Sequence, residues 1–150
     1  MQKLNLPEYE FRIRTEGERR YVLDIFRRRY VPLTPEEEVR QRFARYLVEE
    51  KGYPASLILT EHTLKLNRMV RRCDILVHRP AGTPAVLVEC KSPTVKISRE
   101  TFDQAARYNM VFRVRYLMVT NGLKHYCCHI DFDHRNVRYL DAIPPYGELE

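Results

Sequence analysis

Six residues near the middle of the chain, Ala85-Val86-Leu87-Val88-Glu89-Cys90, constrain its architecture more than any others. Four apolar side chains in a row leave the segment without a polar face. In a strand, successive side chains point to opposite sides, so both sets must leave water. Such a run suits a central strand covered on both faces, and it closes on a charge.

The sequence supplies helices to do the covering. Thr34-Pro35-Glu36-Glu37 predicts a helix start, with Thr34 as N-cap and Pro35 in the first turn. Glu37 falls three residues after the cap, the spacing of a capping box. Val39, Phe43 and Leu47, with Tyr46 nearby, form an apolar stripe. Gly52 ends this helix and Pro54 prevents its continuation. Ser98 caps a second helix over about 99–112. A strand–helix–strand unit from 85 to 120 requires a parallel strand pair and a right-handed crossover.

The remaining strands are read from alternation and turn signals. Residues 9–14 and 20–25, joined by a turn at Thr15–Glu18, predict an N-terminal hairpin. Residues 56–66, 70–77, 116–120, 123–130 and 136–141 predict further strands, with Asn121-Gly122 as a turn. Residues 144–148 are expected to be loose. The expected fold class is α/β, an α+β mixed sheet with flanking helices and an N-terminal β-hairpin. No repeat, low-complexity segment or Gly/Ser linker divides the 150 residues, so one domain over 1–150 is expected.

Charge bears on the partner. Lys and Arg number 26 against 20 Asp and Glu, a net charge of +6. That excess favours a polyanion, most commonly nucleic acid. Arg12, Arg14, Arg19, Arg20, Arg27, Arg28 and Arg29 crowd the first thirty residues, either as a binding surface or as a solvated face. No apolar run approaches the ~20 residues that cross a bilayer, and the N-terminus lacks a signal-peptide core. A cytoplasmic protein with no membrane partner is expected. Cys73, Cys90, Cys127 and Cys128 form no Cys-x-x-Cys pair and read as small buried hydrophobes. His62, His78, His125, His129 and His134 lack metal-ligand spacing.

Chemistry concentrates on three residues. Asp74 lies mid-strand, Glu89 closes the buried run, and Lys91 follows two positions on, towards the same side as Glu89. If strands 70–77 and 85–90 pair as a hairpin, two carboxylates and an ammonium converge. A hard cation such as Mg²⁺ takes one or two carboxylates and leaves room for water and phosphate oxygens. Asp74 and Glu89 suit it, and the carbonyl of Cys90 offers a third oxygen. Lys91 would hold the attacking water or stabilise charge on the phosphate. The competing reading makes Asp74 an exposed strand residue and Glu89–Lys91 a same-face ion pair.

Four segments together carry a resemblance: Thr-Pro-Glu-Glu-Glu-Val-Arg-Gln (34–41), Arg-Arg-Cys-Asp-Ile-Leu-Val (71–77), Val-Leu-Val-Glu-Cys-Lys-Ser-Pro (86–93) and Thr-Asn-Gly (120–122). In this order they resemble the N-terminal nuclease domain of type I restriction enzyme R subunits, a branch of the PD-(D/E)xK nuclease superfamily. The resemblance spans about residues 20–130. It implies a restriction-endonuclease-like core that cuts DNA with Mg²⁺, for which Mn²⁺ would substitute. By position, Asp74, Glu89 and Lys91 match the catalytic signature. Glu36, four residues before Arg40, matches a glutamate of the first core helix, and Arg40 falls with the DNA-binding residues. Gln104 and Tyr108 resemble a Gln-x-x-x-Tyr feature that orients DNA in relatives. Restriction-modification or motor subunits are the implied partners, and a homodimer is left open. The chain contains no Gly-x-x-x-x-Gly-Lys-Ser/Thr loop of its own. The alternative is a non-catalytic module of the same fold that binds nucleic acid or a protein partner.

Overall fold

The computed structural model describes residues 1–150, apart from the side chain of Tyr108. The chain runs β1 (Ile13–Glu16), β2 (Arg19–Asp24), β3 (Arg29–Pro32), α1 (Pro35–Lys51), β4 (Ile58–Leu66), β5 (Met69–His78), β6 (Pro84–Cys90), α2 (Arg99–Phe112), β7 (Tyr116–Thr120), β8 (His125–Asp131) and β9 (Asn136–Leu140). The last six strands make one sheet in the order β4-β5-β6-β7-β8-β9. Strand β6 pairs antiparallel with β5 and parallel with β7, and α2 lies in the connection between β6 and β7.

The apolar run of β6 divides between two cores by the period-two rule. Val86, Val88 and Cys90 meet Val39, Phe43 and Leu47 of α1. Leu87 joins Phe102 and Ala105 of α2, with Leu117 and Val119. One helix thus covers each face. By the same alternation Glu89 belongs to Leu87's row, on the α2 side.

The first helix starts as its sequence dictates. Thr34 Oγ1 accepts the Glu37 N–H at 3.0 Å, and Gly52 closes the helix in the left-handed region at φ 70°. The capping box is only half formed, however. The Glu37 carboxylate accepts instead from Arg27, Arg40 and Gln41. Ionic partners are stronger than the neutral backbone N–H of the cap.

The N-terminal region departs from the expected hairpin. It is a three-stranded antiparallel sheet, β1-β2-β3, with β3 added by Arg29–Pro32. The first strand begins at Ile13, not residue 9. Tyr9 and Phe11 instead lie under the Arg45 guanidinium of α1, 5.2 and 5.4 Å from the ring centres. Aromatic packing on a helix has outcompeted strand pairing there. Asp24, fully buried, ties this small sheet to the large one. Its carboxylate accepts the Phe26 N–H at 2.7 Å, Arg27 Nε at 2.5 Å and Thr60 Oγ1 of β4 at 2.7 Å.

The expected loose tail is packed. Ile143 is buried, and the Tyr146 ring lies edge-on to Tyr53 at 5.3 Å. Tyr53 donates to the Pro144 carbonyl at 2.9 Å and Tyr146 to that of His78 at 3.1 Å. Packing the partly buried Tyr146 ring on the buried Tyr53 ring outweighs the turn-forming composition of the segment.

Candidate active site

Strands β5 and β6 part company at the charged residues. Their pairing runs only from Ile75 with Val88 to His78 with Pro84, although β5 reaches back to Met69 and stays paired with β4. One step past the Ile75–Val88 pair, Asp74 and Glu89 stand on the two diverging strands. There the Asp74 side chain substitutes for the missing backbone partner: its Oδ2 accepts the Cys90 N–H at 2.8 Å. The β6–β7 ladder continues past the same point, with Lys91 N–H donating to the Thr120 carbonyl at 2.8 Å. That bond fixes the start of the Lys91 side chain beside Glu89.

The other Asp74 oxygen faces α1. Oδ1 accepts from Arg40 Nη2 at 2.8 Å. The same nitrogen lies 3.2 Å from Glu36 Oε1 and 2.6 Å from Glu61 Oε1, and Arg40 Nη1 is 2.6 Å from Glu37 Oε1. Four carboxylates therefore surround one guanidinium whose side chain is only 6% exposed. Burial works against the charge of Arg40. The Asp74 hydrogen bond and the Glu37 charge outweigh it and hold the guanidinium protonated.

Glu89 faces the α2 side. Its Oε1 is paired with Arg71, and its Oε2 lies 3.9 Å from Lys91 Nζ. Burial pushes its carboxyl pKa up. Arg71 pulls against that shift, and the nearby Asp74 charge adds to it. Glu89 and Lys91 line a cavity of about 170 Å³ with Arg71, Thr101, Gln104 and Val119.

The sequence-derived residues divide accordingly. Asp74 and Glu89 stand on neighbouring strands at the split, Asp74 reaching Arg40 on the α1 side and Glu89 reaching Arg71 and Lys91 on the α2 side. Glu36 reaches the group through Arg40, and its side chain is about half exposed. Glu37 is spent on internal pairing. Arg40, expected at the DNA, is turned inward and held by carboxylates. Gln104 lines the Glu89 cavity. The side chain of Tyr108 lies outside the described residues. The Cys90 thiol is pushed well up by burial, with the Asp74 charge adding to the effect, and stays protonated. Any metal contact at Cys90 would have to use its carbonyl. Among the described residues, no three His, Cys, Asp or Glu side chains form a metal-binding group.

Two residues escaped sequence reasoning. Arg71 holds Glu89, and Glu61 holds Arg40. Glu61 has a positive φ of 49°, uncommon for a residue with a Cβ. The β4–β5 pairing passes from Thr60–Ile75 to His62–Cys73 without matching Glu61 to Asp74. Across this irregularity Cys73 and Ile75 fall in opposite cores. A local break of this kind re-aims a side chain. Here it sends Glu61 to Arg40 and to Arg72, whose Nε donates at 2.5 Å. The available signal was a charge following the β-forming run Ile58-Leu59-Thr60.

The fold and the charged strand split define a class: a mixed sheet with one helix on each face and its ionisable residues gathered where two central strands diverge. A solved structure shares the fold, a fragment described as an HsdR subunit of a type I restriction enzyme from Vibrio vulnificus YJ016. The likeness has a TM-score of 0.54 at 19% identity and covers 78% of this chain and 24% of that one. No curated protein matches. The chain belongs to the family "Type I restriction enzyme R protein N terminus (HSDR_N)", whose model matches residues 35–144. Among the described residues, no helix is long and apolar enough to cross a membrane.

Proposed function

We propose that this chain is a Mg²⁺-dependent nuclease domain that hydrolyses phosphodiester bonds in DNA. The observation carrying the proposal is the pair Asp74 and Glu89, on adjacent strands at the point where those strands separate, with Lys91 Nζ 3.9 Å from Glu89. Two carboxylates are what a hard divalent cation asks of a protein, because water and substrate phosphate complete its shell. The donor set fits. Asp74 and Glu89 would hold the ion, with the Cys90 carbonyl as a third oxygen and Glu36 near enough to assist through the Arg40 cluster. Bound there, Mg²⁺ or Mn²⁺ supplies a Lewis acid for the phosphate and an acidified water.

The chain's own residues do the rest. Lys91, the more exposed cation of the split, offers its ammonium to charge growing on the phosphate oxygens. Arg40 fixes the Asp74 carboxylate from the α1 side. Arg71 neutralises Glu89 until a metal competes for it. Gln104 stands on the cavity wall to orient a strand. The family suggests restriction-modification or motor subunits as partners, in the cytoplasm. Pairing of two copies would allow both strands to be cut.

One observation favours a second reading, a binding module without chemistry. Each of the two key carboxylates already has a resident guanidinium, Arg40 or Arg71. The two readings separate in a plasmid-nicking assay with Mg²⁺ or Mn²⁺. Asp74→Asn and Lys91→Ala should each lower cutting by at least 10²-fold, with an unchanged far-ultraviolet circular dichroism spectrum. Wild-type chain that binds DNA equally with and without metal and never nicks it would leave only the second reading.

A further inference from the structure

Beside the Arg40 cluster, a groove of about 430 Å³ is lined by the small N-terminal sheet, the start of α1, Glu61 of β4 and Arg72 of β5. Its walls carry Arg29 and Tyr30 of β3 on one side and Arg72 of β5 on the other, with Arg27 and Arg40 deeper in. The arginines differ in availability. Arg40 is buried and Arg27 partly buried, both in ion pairs. Arg29 is exposed, and the Arg72 side chain is 76% exposed. At the rim, Arg14 lies over the Tyr30 ring at 5.5 Å and is itself 58% exposed. The two acids of the groove are already engaged, Glu37 by Arg27 and Arg40, and Glu61 by Arg40 and Arg72. At the rim Glu16 offsets Arg14 at 2.6 Å, so the outward-facing positive charge is that of Arg29 and Arg72.

We infer that this groove is a docking track for the phosphate backbone of a nucleic acid, leading to the strand split at Asp74. The inference rests on the proposed action on DNA and adds where the strand lies. Charge complementarity selects the occupant. A guanidinium carries five N–H donors in a fixed fork that matches phosphate oxygens, and pairing to one carboxylate leaves donors over. Arg29 and Arg72 line the groove from two different sheets, so a backbone held by both is held over Arg40, which lines the same groove. The N-terminal sheet acquires a purpose in this arrangement: it is the second wall.

The test is binding of a fluorescently labelled duplex oligonucleotide, followed by anisotropy in EDTA over a range of NaCl concentrations. Each phosphate contact contributes about −0.9 to the slope of log affinity against log salt. Arg29→Ala and Arg72→Ala should each flatten the slope by roughly one, and the double variant should weaken binding at low salt at least tenfold. Arg29→Lys and Arg72→Lys should keep most of the slope. Lys51→Ala, on the last residue of α1 and roughly 17 Å along the helix from Arg40 at 1.5 Å per residue, should leave it unchanged. An unmoved slope in the double variant overturns the inference. So does an equal loss in Lys51→Ala, or wild-type chain that fails to bind duplex at low salt. Nicking measured in parallel keeps the two readings apart. If Arg29 and Arg72 set the salt slope but no metal supports cutting, the groove stands and the nuclease reading falls.

Discussion

Arg40 shows how a single side chain can organise a charged site. It is nearly buried, and it touches Glu36, Glu37, Glu61 and Asp74. A buried charge is tolerated only when paired, and removing one partner costs more than the pair is worth. Glu61 is the partner that brings Arg72 into the same network. Glu61→Gln keeps the size and the backbone but removes the charge. It should destabilise the fold by about 1.5–3 kcal/mol in urea denaturation, the range for a hydrogen bond to a charged group. It should also lower nicking, because Arg40 would be less firmly held against Asp74. Wild-type values in both measurements would show that Glu61 is a bystander. Asp74, Glu89 and Lys91 were legible in the sequence because their grouping needs only two local facts, the β5–β6 hairpin and the two-residue spacing. Glu61 and Arg71 were not, because their roles depend on where β4 breaks register and where β5 leaves β6. Neither event has a turn residue or a period to announce it.

At the scale of elements, the small sheet is fastened through Asp24, which links β2 to Thr60 of β4. Burial alone would raise the Asp24 carboxyl pKa. Hydrogen bonds from Arg27, Thr60 and the Phe26 amide overcome burial and hold it below its ordinary 3.8. A carboxyl depressed on folding stabilises the native state above its unfolded pKa, and that contribution is lost as pH falls through the folded value. Wild-type stability should therefore drop below about pH 4, whereas Asp24→Asn should be weaker at neutral pH and flatter across the acid range. The neutral-pH loss should be about 1.5–3 kcal/mol, the range for a hydrogen bond to a charged group, because Arg27 keeps its pairing with Glu37. Identical acid limbs for the two proteins would remove Asp24 from the account. The helices and the strands of the large sheet were readable because caps at Thr34, Gly52 and Ser98 and the β6 run are local signals. Strand β3 was not. It has four residues, and only Val31 is buried, so no alternation could mark it. The packed tail escaped for the same reason, since its partners Tyr53 and His78 lie 91 and 68 residues away.

Across the whole molecule, the site depends on contacts made far from it. The N-terminal segment crosses the β7–β8 turn, where the Asn5 N–H donates to the Gly122 carbonyl at 2.8 Å. It then runs along α1, where Arg42 donates to the Gln2 carbonyl at 2.8 Å and to that of Leu6 at 2.9 Å. Gly122 sits at φ +85°, and a Cβ there would lie 2.9 Å from Leu4 Cδ2 and 3.0 Å from Val39 Cγ2. The Leu4 side chain can yield. Val39 cannot yield as easily, because it is fully buried and stiff at χ1 within α1. Gly122→Ala therefore combines an unfavourable backbone conformation with overpacking and should cost about 1–3 kcal/mol. For a chain of this size that is roughly 2–4 °C in Tm per kcal/mol, read by calorimetry. The consequence should extend beyond stability. Val39 is the neighbour of Arg40, so pressure on α1 at Val39 bears directly on the guanidinium that fixes Asp74. Nicking should fall more than the loss of folded protein accounts for, while duplex binding through Arg29 and Arg72 should hold. An unchanged Tm would mean that α1 and the turn adjust freely, and that the position of Arg40 is set by its ion pairs alone.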